Sequence, residues 1–225
     1  MGFQKEVLMN DTKHNPYSCE SAEKKSNQRQ QKTFQKRQAL IVKKASKLFI
    51  KKGYAQTSMR DISKATGINL GNLYHYISSK EDILCLAFNS YHALTMDYLV
   101  KEGVLKIEDP KAQLKAVLRQ ALETTYDVKN DVLMMFRETN VLPPKVLKNV
   151  LRKESELIQI FEDIIVKGLK KNLFKVSDPF FAANMLVFQL SIYALRSWNL
   201  KRYSREEYLD LAEKTILKAI IPTTK

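Results

Sequence analysis

The spacing of apolar residues predicts an all-α protein of about nine helices. Apolar side chains return every three to four positions through most of the chain, which is the period of one helix face. No segment alternates apolar and polar residues as a half-buried strand does, and no internal repeat is visible. A first helix over about 32–52 follows from its apolar side, which consists of Phe34, Ile41, Ala45, Leu48 and Phe49.

The stretch 57–82 carries the signals of two short helices joined by a tight turn. Ser58 and Asp61 have the spacing of a capping box, so a short helix begins there. Gly67 suits the left-handed end of that helix, and Asn69 suits the cap of the next one. Two short helices around a glycine-containing turn, the second presenting polar and aromatic groups, predict a DNA-reading helix-turn-helix. The alternative is a helix pair that only packs.

The rest of the chain predicts longer helices, each with a side to bury. The helix over 178–198 is apolar nearly all round, so every side of it has to be covered. Intramolecular cover is scarce in a chain of this size, and we predict a homodimer in which 178–198 and 204–220 pair with their copies in a four-helix bundle. The other helices are predicted at about 79–103, 110–129, 131–139 and 144–172.

Charge is distributed unevenly along the 225 residues, whose formal net charge is +14. Residues 1–80 hold 16 Lys or Arg against 5 Asp or Glu, and residues 81–225 hold 22 against 19. No acidic residue lies between Glu23 and Asp61. A basic front part on a nearly neutral remainder is typical of a polyanion binder joined to a second module. The alternative is a solvated basic face without a partner.

Motifs for catalysis are missing from the sequence, so we predict that the protein is not an enzyme. There is no glycine-rich phosphate loop and no metal-ligand spacing, and His14, His75 and His92 are scattered. We therefore expect no cofactor and no metal. Cys19 and Cys85 lie far apart in unlike settings, which favours free thiols. No apolar run is long enough for a bilayer and no signal-peptide core is present, so we expect a cytoplasmic protein without a membrane partner.

The run from Gln38 to Leu84 resembles the N-terminal domain of the tetracycline-repressor (TetR) family of bacterial and archaeal transcription regulators. The resemblance implies a three-helix helix-turn-helix domain at 29–80 and a helical ligand-binding and dimerisation domain at 81–225. Residues 1–28 show no sustained periodicity and many polar residues, which predicts a flexible arm or a mis-called start. The matching residues are Ala45, Leu48, Phe49, Gly53, Tyr54, Thr57, Ser58, Arg60, Asp61, Ile62, Gly67, Ile68, Gly71, the run 73–76 and the run 79–82.

Residue chemistry then suggests the DNA contacts. Asn can make a bidentate contact to adenine and Arg to guanine, while Leu can press on a thymine methyl group. The predicted base readers are Arg60, Asn69, Leu70 and Asn72. Leu70 has the alternative of turning inward, because Leu73 follows three residues later. The predicted phosphate contacts are Thr57, Tyr74, Tyr76 and Lys80.

Met and aromatic residues within 81–225 predict an effector pocket. The alternative for most of these residues is ordinary packing in the core. Met and aromatic side chains suit an apolar, adaptable cavity. The residues from Arg137 to Ala212 also resemble, more weakly, the family branch that represses fatty-acid or sterol-ring degradation and binds acyl-coenzyme A. The candidate lining residues are Phe88, Tyr91, His92, Thr95, Met135, Arg137, Tyr193 and Trp198.

Together these features predict a ligand-responsive DNA-binding repressor. It would bind a pseudo-palindromic operator in double-stranded DNA as a homodimer, and a small hydrophobic or amphipathic effector, with acyl-coenzyme A as one candidate, would release it. The alternative is a constitutive or architectural DNA-binding protein whose core is filled and takes no effector.

Overall fold

The computed structural model describes the backbone of residues 28–222 and the side chains from Gln31 onward. This part of the chain is all-α, as the apolar spacing predicts. The predicted arm at 1–28 lies outside the described residues, apart from the first residue of α1. The helices are α1 Gln28–Lys52, α2 Met59–Thr66, α3 Leu70–Tyr76, α4 Lys80–Lys101, α5 Pro110–Asp127, α6 Lys129–Glu138, α7 Pro144–Lys170, α8 Pro179–Leu190, α9 Ile192–Leu200 and α10 Arg205–Ile220. Two short 3₁₀ turns, Val104–Lys106 and Thr139–Val141, link neighbouring helices.

The helix predicted over 178–198 is divided in two at Ser191, which gives ten α-helices in the described chain rather than about nine. The Ser191 amide bonds to the Phe188 carbonyl at 3.1 Å, a tight three-residue closure that ends α8. A second irregularity follows at Arg196, whose φ of −124° and ψ of 17° are not helical. The break gives α9 its own direction, and its inward face differs from the one that continuous periodicity assigns.

Local capping fixes the helix boundaries in the helix-turn-helix as the sequence predicts. Ser58 and Asp61 form both bonds of a capping box at the start of α2. Gly67 ends that helix with φ of 70°, a left-handed conformation that glycine adopts without a steric penalty. The Asn69 side chain caps α3, accepting a bond from the Asn72 amide at 2.8 Å.

The buried core has two main clusters, and the first does not stop at the end of the helix-turn-helix. This N-terminal core contains Ile62 and Leu73, and it also contains Met134 from α6 and Val150 from α7. The second cluster joins α4, α5, α7, α8 and α10 around the fully buried Phe161. Packing therefore continues across the boundary predicted near residue 80, so α4 and α6 touch both the DNA-binding part and the regulatory part.

The last helices differ in what they bury. α10 lies against α5, and Arg119 on α5 pairs with Glu206 at 2.9 Å and with Asp210 at 2.6 Å on α10. α8 packs on α7, but a row of large apolar side chains along α8 and at the first residue of α9 remains exposed. This row, which we call the α8 stripe, consists of Phe181, Met185, Phe188 and Ile192, which are 66%, 42%, 52% and 37% exposed.

Candidate DNA-binding surface and effector cavity

The reading side of the helix-turn-helix is set by what α3 buries. Leu73 and Ile77 are buried in the N-terminal core, so the opposite side of α3 faces outward. That side presents Asn69, Asn72 and Tyr74. The side-chain oxygen Oδ1 of Asn69 accepts the capping bond, which leaves the side-chain NH₂ group free to donate to a base.

The other two predicted base readers behave differently from each other. Arg60 is exposed in the first turn of α2. Leu70 is half-buried and packs against the N-terminal core. The inward alternative weighed for Leu70 is therefore the one that its packing favours.

The predicted phosphate contacts comprise the exposed Tyr74, the half-buried Tyr76 and two residues, Thr57 and Lys80, whose side chains bond to the backbone of the turn between α1 and α2. Tyr74 is 49% exposed, and the half-buried Tyr76 stacks on Phe34 of α1 with ring centroids 5.1 Å apart. Thr57 is only 1% exposed, and its hydroxyl donates to the Gly53 carbonyl at 2.7 Å. Thr57 therefore holds the turn before α2, and we leave it out of the DNA-contact set.

Lys80 is tied to the turn that follows α1. Its Nζ donates to the Tyr54 carbonyl at 2.7 Å and lies 4.4 Å from the centre of the Tyr54 ring. The Tyr54 hydroxyl in turn donates to Glu81 at 2.6 Å, and burial together with this carboxylate raises the pKa of Tyr54. An ammonium has three donors, so Lys80 can hold this turn and still approach a phosphate.

Two side chains beside α3 were not singled out from the sequence as part of the reading unit. Phe34 packs on His75 as well as on Tyr76, and Gln38 donates to the Tyr76 carbonyl at 3.0 Å. These contacts fix the end of α3 against α1. The basic residues of α1 assigned only to a generic positive face, Lys43, Lys44, Lys47 and Lys51, are all exposed.

The acidic residue of α2 does little to weaken this positive face. Asp61 lies 2.8 Å from the Nζ of Lys52. Its bond to Lys52, and then its bonds to Ser58, hold the pKa of Asp61 well below its usual range. The carboxylate is thus paired at neutral pH and leaves the surrounding lysines as the dominant charge.

A cavity of about 130 Å³ lies between α4, α6, α7 and α8. Five of the eight predicted effector residues line it: Phe88, Tyr91, His92, Thr95 and Met135. Its wall also includes residues that the sequence reasoning did not assign to a site, among them Val132, Val150, Lys153, Glu154 and Leu157. For the residues on α7, the sequence did contain a signal of a shared wall, because Val150, Lys153 and Leu157 have the spacing of one helix face.

The other three predicted effector residues lie away from the cavity. Arg137 is exposed on α6, and Trp198 is 66% exposed on α9. Tyr193 stacks between Tyr126 and Tyr208, with ring centroids 4.2 Å and 4.6 Å away, and its hydroxyl donates to that of Tyr126. The helix break at Ser191 explains Tyr193, because α9 turns toward α5 and α10 instead of continuing the α8 face.

Polar groups in the cavity wall are mostly satisfied within the protein. The Thr95 hydroxyl donates to the Tyr91 carbonyl at 3.3 Å, and the Thr139 hydroxyl donates to the Met135 carbonyl. The Tyr91 and Thr125 hydroxyls are 3.2 Å apart, and burial raises the pKa of Tyr91. These bonds leave a largely apolar interior.

Besides Tyr91, three ionisable side chains lie at the wall: His92, Lys153 and Glu154. Burial raises the pKa of the Glu154 carboxyl group. The Nε2 atom of His92 lies 2.9 Å from a Glu156 oxygen, although not in aligned hydrogen-bond geometry. Burial lowers the pKa of His92 below its ordinary 6.5, against the opposing effect of Glu156. Lys153 is half-buried, and its Nζ donates to the side-chain oxygen of Asn89 on α4 at 2.8 Å.

Neither a metal centre nor a membrane anchor is found within residues 28–222. Within that range, no group of three or more His, Cys, Asp or Glu side chains is arranged so that it could bind a metal ion. No helix in that range combines the length and the apolar character needed to cross a bilayer.

Comparison with known proteins gives matches in both parts of the chain. Bacterial regulatory proteins of the tetR family match residues 41–87, and the tetracyclin repressor-like C-terminal domain matches residues 108–193. The uncharacterised HTH-type transcriptional regulator YerO of Bacillus subtilis (strain 168) is 32% identical over 104 residues, or 46% of this chain. That match spans only 36% of the length of YerO.

A second relative and a solved structure match over most of the chain. IcaR, the negative transcriptional regulator of the biofilm operon icaADBC in Staphylococcus aureus (strain Newman), is 24% identical over 167 residues, covering 74% of this chain and 88% of IcaR. The crystal structure of AibR in complex with isovaleryl coenzyme A and operator DNA superposes with a TM-score of 0.67 at 19% identity, covering 83% of this chain and 98% of AibR. With its helix-turn-helix and its helical C-terminal domain both matched, the chain belongs to the tetR family of bacterial regulatory proteins, a family of DNA-binding regulators and not of enzymes.

Proposed function

We propose that the protein is a ligand-responsive transcriptional repressor that binds a pseudo-palindromic operator as a homodimer. The observation that carries the proposal is that the cavity and the core of the helix-turn-helix share two helices. On α4, Ala87 is buried in the N-terminal core and the next residue, Phe88, lines the cavity. On α6, Met134 is buried in the N-terminal core and the next residue, Met135, lines the cavity. A molecule in the cavity therefore presses on the helices that support α1–α3.

The contact between α6 and α1 makes this route continuous. α1 packs along α6, and the half-buried Asp131 in the first turn of α6 lies near Ser46, which is fully buried on α1. A small shift of α6 changes the angle at which α1 supports α2 and α3. A coupling free energy of about 1–3 kcal/mol is enough to change operator occupancy several-fold.

The proposed DNA contacts follow from exposure. Arg60, Asn69 and Asn72 would read base edges, while Tyr74, Tyr76 and the exposed lysines of α1 would bind phosphates. Lys80 would reach a phosphate with the donors that the Tyr54 carbonyl does not use. In a dimer the two α3 helices would lie about one turn of DNA apart, ~34 Å or slightly more.

The α8 stripe is the surface that we assign to the second subunit. The prediction from sequence pairs 178–198 with 204–220, and the larger exposed apolar row lies on the first of these segments. Outward positions on α10 are mostly polar or charged, including Glu206, Asp210 and Lys214, but Leu211 is 48% exposed there. A helix apolar on its exposed side gains most from a partner, so we propose α8 as the centre of the interface and α10 as its second helix.

The effector would be a small, largely apolar molecule. An apolar cavity of about 150 Å³ holds benzene, so the volume here suits a compact group. AibR was crystallised with isovaleryl coenzyme A, which keeps an acyl-coenzyme A thioester as one candidate. The cavity has room for a short acyl group but not for the nucleotide part. Since the operator would be chromosomal DNA, we place the protein in the cytoplasm.

Footprinting on the DNA upstream of the protein's own gene tests the proposal. We expect a protected pseudo-palindrome and a protein dimer in solution. Asn72→Ala should weaken binding to that site by about 1–3 kcal/mol and relax the preference at one base pair in each half-site. The matched control is Asn199→Ala, an exposed asparagine on α9, which should bind as the wild type does.

The outcome that contradicts the proposal is equal affinity for every duplex, or a monomer at all concentrations. A specific complex that no small molecule releases would instead support the constitutive DNA-binding alternative. The cavity, joined to α4 and α6, is the feature that favours a regulated protein.

A further inference from the structure

We propose that the cavity binds compact organic anions, with an apolar body and a single carboxylate, and that the ammonium of Lys153 receives the carboxylate. The inference rests on the proposed function, because it names the class of effector for the same cavity. It assigns a ligand contact to a residue of α7 and predicts weaker binding of molecules of similar shape that carry no charge.

The first argument is the partner of Lys153. Its Nζ donates to the side-chain oxygen of Asn89 at 2.8 Å, and this acceptor is a neutral amide. Burial disfavours an ammonium unless a negative charge compensates it. The pKa of Lys153 is lowered, first by this burial and next by repulsion from Arg152, against smaller opposing effects of Cys85 and Glu156. The cavity wall therefore contains a cation whose charge the protein compensates poorly.

The second argument is that the nearby acidic groups are engaged or exposed. Glu156 bonds to Arg152 and lies 2.9 Å from His92, so its charge is shared between two other side chains. Glu154 also lines the cavity with a largely exposed side chain, and burial of its carboxyl group raises its pKa, which favours the neutral acid. His92 favours its neutral form because burial lowers its pKa. Lys153 is therefore the side chain of the wall that offers a positive charge to a ligand at neutral pH.

The third argument is the rest of the cavity. Its wall is mainly apolar, and Thr95 and Thr139 donate their hydroxyl hydrogens to carbonyls of their own chain. The volume of about 130 Å³ suits a ring or a short branched chain. The acyl end of a coenzyme A thioester carries no negative charge and would leave Lys153 without compensation.

Capture of a carboxylate by Lys153 also connects binding to the DNA-binding part. The bond from Lys153 to Asn89 joins α7 to α4, and Asn89 lies one helical turn after Cys85, to which its amide nitrogen also bonds at 3.6 Å. The neighbouring Leu84 is fully buried in the N-terminal core. A carboxylate that attracts the Lys153 ammonium would weaken its hydrogen bond to Asn89. That bond lies near the N-terminal part of α4, which packs against the helix-turn-helix.

Paired probes test the charge requirement. Benzoate and phenylacetate are titrated by calorimetry against the full-length protein, beside the isosteric benzamide and phenylacetamide and beside hexanoyl coenzyme A. We expect each carboxylate to bind at least about tenfold more tightly than its amide, the difference that a charge-assisted hydrogen bond in a partly buried site provides. Equal binding within each pair, tighter binding of the thioester, or no binding of either carboxylate at millimolar concentration would overturn the inference.

Variants locate the charge. Lys153→Met should lose the preference for carboxylates and retain binding of the amides, while Lys148→Met, an exposed lysine of the same helix, should behave as the wild type. Asn89→Ala should bind benzoate more tightly, because the ligand becomes the main acceptor for the ammonium, and should leave benzamide affinity little changed. Circular dichroism and a thermal melt show whether each variant is folded. An unchanged carboxylate preference in folded Lys153→Met would contradict the assignment.

DNA binding separates this inference from the function on which it rests. Specific binding to a footprinted duplex, together with no preference for carboxylates, would overturn the effector class alone. Failure of the wild-type protein to prefer any duplex would overturn the proposed function, whatever the calorimetry shows.

Discussion

The helix-turn-helix and the cavity are neighbours in the fold, but they differ in the sequence separation of the residues whose hydrogen bonds stabilise them. In the helix-turn-helix, Ser58, Asn69 and Ser79 cap helices through partners three residues away. In the cavity, Lys153 reaches Asn89 across 64 positions of sequence. The reading unit is therefore organised by local chemistry, whereas the cavity exists only when distant helices have packed.

This difference suggests how the protein divides its tasks. Short-range caps and a fully buried Leu73 give α3 one defined position, which base reading requires. The cavity contains empty volume, and its wall includes the ionisable side chains of His92, Lys153 and Glu154. If a ligand binds there as we propose, this wall has more freedom to rearrange than the core beneath α3. α4 and α6 contribute residues to both regions, and under the proposed function they would transmit the change from one to the other.

Truncating one buried side chain in each region tests the comparison most strongly. Leu73→Ala should lower the free energy of unfolding by about 3 kcal/mol and abolish specific DNA binding, because Leu73 is fully buried beneath the reading face. Met135→Ala should cost less, about 2 kcal/mol, since its side chain already borders a cavity, and should leave DNA binding intact. Urea denaturation and a gel-shift assay measure both effects, and a reversed order would contradict the comparison.

A glycine in the regulatory core provides the next test. A methyl group at Gly168 would overlap the ring of the buried Phe174. Gly168→Ala should therefore destabilise the protein by about 1–3 kcal/mol through overpacking. Adding Phe174→Leu should recover part of the loss in thermal melts, and no recovery would show that the ring is not the cause.

Two capping serines separate stability from function. Ser58 and Ser204 each begin a helix with a complete capping box, one in the helix-turn-helix and one in α10. Ser58→Ala and Ser204→Ala should each cost about 1 kcal/mol of folding stability. Ser58→Ala alone should also weaken operator binding, because it loosens the start of α2. Equal DNA affinity in the two variants would argue against a locally organised reading unit.

Acid should affect the two regions at different pH, with the smallest of these effects. The folded-state pKa of His92 lies below 6.5, so the unfolded chain takes up the proton more readily and stability falls as the pH drops below 6.5. Glu156 opposes this loss, while Lys153 and Arg152 reinforce it. Asp61, whose pKa is depressed from 3.8, loses its contribution only in stronger acid.

The corresponding measurement is the free energy of unfolding as a function of pH. His92→Gln should flatten the profile below pH 6.5 and leave the strongly acidic part unchanged. A profile identical to that of the wild type would mean that His92 is equally basic in the folded and unfolded chain.

Sequence by itself determined the all-α class and the boundaries of α2, α3 and α4. These features depend on caps and apolar spacing within a few residues. Because the interacting residues are close in sequence, their types and spacing can be recognised without knowing the fold. Phe88, Tyr91, His92, Thr95 and Met135 could also be assigned to one site, because α4 and α6 present them on regular helix faces.

Only the tertiary structure decided which side chains meet across distant helices. The break at Ser191 sent Tyr193 into a tyrosine stack, and the turn before α2 buried Thr57. Packing of α7 against α4 placed Lys153 beside Asn89, and packing of α10 on α5 left the α8 stripe as the main uncovered surface. Periodicity states that a face is buried, but which helix covers it depends on contacts among all of them at once.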